Sequence, residues 1–66
     1  MSREVQISVD EIKEGDRYGD GTVGWTATGD ASTVRGVVSV PVIYADGGDG
    51  TRTWQNNARE VVVRRG

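Results

Sequence analysis

The large aliphatic side chains of this 66-residue chain are all β-branched but one: eleven Val, three Ile and a single Met, with no Leu. Branching at Cβ stiffens χ1 and suits a pleated surface better than a helix. Ten Gly supply the tight corners. A chain of this kind is expected to be all-β.

Its length allows one domain, spanning residues 1–66. A domain this small buries only about 60% of its unfolded surface, so its stability is marginal without a staple. There is no Cys and no His. Disulfides, Cys/His zinc sites and Ser-His-Asp or Cys-His catalysis are therefore excluded. No apolar run approaches the roughly 20 residues that cross a bilayer. The opening Met1-Ser2-Arg3-Glu4 lacks an apolar signal region, so a cytoplasmic location is expected.

Period-2 alternation marks the strands. Val5, Ile7 and Val9 alternate with polar residues and form the first. Asp10 to Asp16 is an acidic turn, or one short helical turn that Asp10 caps and Gly15 ends, with Ile12 folding back onto the core. Asp20-Gly21 is a turn, and Val23, Trp25 and Ala27 share one face of the strand after it. A long strand from Thr33 to Ala45 is expected next. Val34, Gly36, Val38, Val40, Val42 and Tyr44 would face inward, and Arg35, Val37, Ser39, Pro41 and Ile43 outward. Pro41 and Gly36 mark where it bends. Asp46-Gly47-Gly48-Asp49-Gly50 is a hairpin turn in which Asp side chains bond the local backbone. Thr51–Trp54 is a short strand. Gln55–Arg59 fits a single 3₁₀ turn with Ala58 inward. In the closing strand, Val61 and Val63 are expected to point in and Val62 out.

Five strands, a long bent strand in the middle and a 3₁₀ turn before the last strand resemble an SH3-like small barrel. The resemblance covers nearly the whole chain and rests on Val9-Asp10-Glu11-Ile12-Lys13-Glu14-Gly15-Asp16-Arg17, Tyr44-Ala45-Asp46-Gly47-Gly48 and Val61-Val62-Val63-Arg64-Arg65. The opening "strand, Ile-x-x-Gly-Asp-Arg" is also similar to small proteins of actinobacterial phages. Arg outnumbers Lys seven to one, in keeping with GC-rich coding. The resemblance implies a compact non-catalytic module with a regulatory or host-directed role, acting in the host cytoplasm if phage-encoded. The acidic-aromatic pattern of proline-peptide grooves is not clearly present.

Acid–base chemistry here would fall to carboxylates, Tyr18, Tyr44 or Lys13. The closest carboxylate pairs, Asp16 with Asp20 and Asp46 with Asp49, lie in turn sequence where Asp is expected anyway. A barrel this small is also expected to lack a concavity of about 300 Å³. Neither enzymatic activity, a metal nor a cofactor is expected. Tyr18, Trp25, Tyr44 and Trp54 are the only aromatics, and their spacing does not show that they converge into a cage. What remains is binding. Val37, Ile43, Trp54 and Val62 are expected to supply apolar contact to a protein partner or a second copy, with Arg35, Arg52 and Arg59 orienting it. Trp25 is expected in the core and Trp54 half-exposed. The alternative is nucleic acid. Residues 31–66 carry a net charge of +2, against −4 for residues 1–30. Arg52, Trp54, Arg59, Arg64 and Arg65 could then grip phosphates and stack bases. The overall pI of 4.9 opposes this. Pairing of the first and last strands would set Glu4 near Arg64 and Arg65.

Overall fold

The computed structural model describes residues 2–19 and 24–65. Asp20 to Val23, and with them the expected Asp20-Gly21 turn, lie outside the described residues, as does the side chain of Arg65. The described chain forms seven strands: β1 (Ser2–Ser8), β2 (Arg17–Gly19), β3 (Gly24–Ala27), β4 (Ser32–Val34), β5 (Val37–Tyr44), β6 (Asp49–Gln55) and β7 (Arg59–Arg65). All pairings are antiparallel and belong to one sheet, curled into a half-barrel. β7 lies between β1 and β2, β3 joins β2 to β5, and both β4 and β6 pair with β5.

Two features raise the strand number from the expected five. Arg17–Gly19 is a separate short strand. The expected long strand is in fact a hairpin, β4 and β5, turning at Arg35-Gly36, whose φ values are 53° and 78°. Positive φ at both central residues is the two-residue turn whose twist matches the flanking strands. Its usual signature is Asn-Gly or Asp-Gly, so Arg-Gly hides it. The turn also reverses the face of everything before it. Val34 is directly opposite Val37, so both point outward. The inward placement of Val34 is therefore corrected: it is 67% exposed.

The 3₁₀ helix is also elsewhere. Residues Gln55 to Ala58 make one β-turn, closed by Ala58 N–H to Gln55 C=O (3.0 Å). The 3₁₀ helix is Val9–Glu11, in the acidic segment, with no side-chain cap. Ile12 follows it into the core, as expected.

The core holds Ile7, Val9, Ile12, Trp25, Ala27, Val38, Val40, Val42 and Val62, with Val5, Ala31, Tyr44, Trp54 and Ala58 packed against it. Trp25 is buried and Trp54 half-buried, as the sequence suggests. Val62 is a correction. It is fully buried, while Val61 is 43% exposed. Pairing with β1 decides this, because Val5 lies opposite Val62 and Gln6 opposite Val61. A shift of one residue exchanges the faces of a strand.

Trp25 lies opposite Tyr44, and Trp54 opposite Val38. On a flat strand those two β5 positions are about 20 Å apart. The two Trp rings nonetheless meet, with centroids 5.7 Å apart, so β5 bends. Pro41 sits between the two halves. Its carbonyl accepts from Thr28 N–H (2.8 Å), so its nitrogen faces the same edge, where β5 passes from β4 to β3. A ladder donor is not needed at that junction.

Candidate interaction surface

Directly paired residues share a face of a sheet, and this sorts the expected contact residues. Val37 and Ile43 lie on the outer face, exposed at 42% and 41%. Trp54 and Arg52 lie opposite Val38 and Val40 and so belong to the inner face of β6. Arg52 sits over the Trp54 ring, 5.8 Å from its centroid. Val62 is in the core and offers no contact surface. Arg35 is exposed at the β4–β5 turn, and Arg59 is exposed at the start of β7. The expected single patch of Val37, Ile43, Trp54, Val62, Arg35, Arg52 and Arg59 is therefore divided between two faces and the interior. Trp54 is half-buried as expected, and the register opposite Val38 puts it on the inner face.

The structure assembles a smaller surface at the β4–β5 hairpin. Val34 and Val37 form an outward cross-strand pair, and Arg35 stands between them at the tip. The pair lacks cover among the described residues, since β4 is a three-residue edge strand bonded only to β5. Asn56 N–H donates to Gly36 C=O (2.9 Å), which ties the turn to the end of β6. Arg35 makes no ion pair among the described residues. Its left-handed backbone costs an L-residue with a Cβ about 1 kcal/mol or more. The arrangement offers two branched apolar side chains and one exposed cation to a partner.

Of the arginines of the nucleic-acid alternative, one is already committed to a carboxylate. Arg64 is engaged with Asp16, which is 3% exposed. Arg64 Nε donates to Oδ1 (2.9 Å) and Nη2 to Oδ2 (2.7 Å), and Lys13 N–H also reaches Oδ2 (2.9 Å). Burial pushes the Asp16 carboxyl up, but the hydrogen bonds from Arg64 and Lys13 and the charge of Arg64 outweigh it and hold it below the ordinary carboxylate range. The same partnership raises Arg64. Arg59 lies five residues back along β7, and Arg52 is on another strand. β1 pairs with β7 as expected, which sets Glu4 opposite Val63, one position from Arg64. Sequence proximity pairs Asp16 with Asp20 and hides Arg64, because that partner is 48 residues away.

Three aromatics do come together. Tyr18 stacks on Trp25 at 5.8 Å and 17°, and Trp25 meets Trp54 at 59°. Trp25 is buried, Trp54 half-buried and Tyr18 45% exposed, so the row runs from the core to the surface. The surface is more concave than expected. One open groove of about 500 Å³ lies among Arg17, Tyr18, Trp25, Ile43 and Tyr44, and another of about 630 Å³ lies beside Asp16 and Arg64. Asp46 accepts Gly48 N–H (2.9 Å), the local backbone role expected for it. Among the described residues no three His, Cys, Asp or Glu side chains gather in a way that could hold a metal ion. No helix is long and apolar enough to cross a membrane among the described residues. Comparison with known proteins finds no matching family model, no matching curated protein and no matching solved structure.

Proposed function

We propose that the protein is a non-enzymatic binding module that docks another protein through the tip of the β4–β5 hairpin. The observation that carries this is Arg35. It occupies a left-handed position where Asn, Asp or Gly costs less, and it is flanked by two exposed valines. A backbone conformation that costs stability and displays an arginine is the pattern of a site held for contact. Arg is also a frequent anchor of interfaces. The partner surface that fits is an apolar recess with a carboxylate at its rim. A regulatory or host-directed role accords with this reading.

Arg35→Asn creates the favoured Asn-Gly turn, and it is expected to raise stability by about 1 kcal/mol in urea unfolding. It is also expected to lose the partner. Val34→Ser should leave stability within about 0.5 kcal/mol, because the side chain is exposed, and should lose the same partner. The measurement is crosslinked capture from the native host, comparing wild type with both variants. Retention of every captured protein by both variants sinks the proposal. Affinity for DNA that falls steeply with salt would move the function to nucleic acid instead.

A further inference from the structure

Outside the hairpin, two seven-residue strands, β1 and β6, each keep one free edge among the described residues, and the edge of β6 carries the chemistry for a partner strand. Among the described residues this seven-residue strand pairs only with β5. The direction of each backbone group follows from bonds at the strand ends. Tyr44 N–H reaches Gly48 C=O, and Asn56 N–H reaches Gly36 C=O, so even-numbered residues of β5 aim at β6. Thr28 N–H reaches Pro41 C=O, so odd-numbered residues aim away. Since Val38, Val40 and Val42 lie opposite Trp54, Arg52 and Gly50, those three β6 residues bond inward. The N–H and C=O groups of Asp49, Thr51, Thr53 and Gln55 therefore point off the sheet.

Natural edges are usually blunted by Pro, Lys, bulges or inward charges. β6 has no Pro and no Lys, and its pairing with β5 is unbroken from Asp49 to Gln55. Its only positive side chain, Arg52, lies over its neighbour Trp54. Thr51 and Thr53 are good strand formers. Such an edge is a template for another strand, and the strand of complementary chemistry is its own copy.

We propose that the chain forms a twofold dimer by antiparallel pairing of β6 with β6 of a second copy, centred on Thr53. Side-chain chemistry selects this register. Outward-aimed residues must meet outward-aimed residues, and only centres at Thr51, Arg52 or Thr53 keep three or more such pairs within Asp49–Gln55. Centring on Arg52 sets two arginines directly opposite each other, and like charges there destabilise. Centring on Thr51 places Arg52 opposite Gly50 and leaves it without a partner. Centring on Thr53 places each Arg52 opposite the Trp54 of the other copy, in the closer, non-hydrogen-bonded kind of pair. That adds a cation–π contact on the inner face, twice by symmetry. Thr53 meets Thr53 and Thr51 meets Gln55 on the outer face, with about six new backbone hydrogen bonds. The interface is isologous and closes at two copies.

Size exclusion with light scattering, across a concentration series of the full chain, reads the oligomeric state. Wild type is expected to pass from monomer to dimer. Thr53→Pro removes an N–H that aims off the sheet and has no partner among the described residues, and Thr53→Lys sets two like charges at the twofold axis. Both are expected to remain monomeric, and the second keeps the test valid if the first misfolds. Gln6→Pro, which blocks the outward edge of β1, is expected to leave the dimer intact. Spin labels on single cysteines, in a chain that has none of its own, should lie closest at position 53 and farther apart at 51 and 55. A wild type that stays monomeric throughout overturns the proposal. So does a dimer that survives Thr53→Lys, or one whose labels at 51 and 53 are equally close. None of these outcomes touches the hairpin tip, which lies off this edge.

Discussion

Replacing Arg64 by Met keeps most of the side chain's length and removes its charge. In the native fold, among the described residues, the Arg64 guanidinium supplies two of the three hydrogen bonds to the Asp16 carboxylate, and Lys13 N–H supplies the third. Asp16 is 3% exposed and Arg64 is 29% exposed, so the two partners are not equivalent. Removing one member of a buried pair costs about 3–5 kcal/mol. Arg64→Met leaves the less exposed partner, the Asp16 carboxylate, with only the Lys13 N–H, which makes it the costlier change. Asp16→Asn strands a guanidinium that can turn toward water, which puts it at the lower end. A 66-residue domain has a total stability of about 3–10 kcal/mol. Arg64→Met is therefore expected near its unfolding midpoint at pH 7, and the comparison needs a stabilising osmolyte.

The pH dependence separates this account from simple loss of packing. In the wild type the folded-state pKa of Asp16 is lowered, so its contribution is present above the unfolded pKa and is lost as pH falls through the folded one. In Arg64→Met the burial that pushes the carboxyl up is no longer outweighed, so the folded pKa rises above the unfolded one. Its penalty is largest at neutral pH and shrinks as acid protonates the group. The two stability curves should converge between about pH 7 and pH 3. Urea unfolding followed by Trp fluorescence at several pH values measures this. A penalty under about 1 kcal/mol at pH 7, or one that stays constant down to pH 3, refutes the buried pair.

Two further substitutions test the packing. Val62→Ala should cost about 2 kcal/mol and Val61→Ala under about 0.5 kcal/mol in the same assay, and the reverse order would show that β7 is shifted by one residue against β1. Gly24 has a φ of 117°, and a Cβ there would overlap the Tyr18 carbonyl oxygen, so Gly24→Ala should lose at least about 2 kcal/mol; an unchanged urea midpoint would show that β2 and β3 are not so close.

Local pattern was enough where one strand presents one wet and one dry face. Val5, Ile7 and Val9 read as inward from alternation alone and are so. Val38, Val40 and Val42 did too, and Pro41 marked the bend. Alternation failed at Val34, because a two-residue turn with Arg in the Asn position leaves the period unbroken while reversing the face. It failed again at Val61 to Val63, because three identical side chains carry no phase. Trp54 was legible as half-buried, but not as an inner-face residue.

The β-branched composition and the period-2 alternation determine the all-β class, and the absence of Cys and His removes whole categories of chemistry. Those are properties of single residues and their near neighbours. Which valine of β7 is inside, where Asp16 finds its counter-ion and which edge stays open depend on strands brought together from opposite ends of the chain. Inter-strand register is a long-range quantity with no local signature, and only the closed packing of the core selects one value of it.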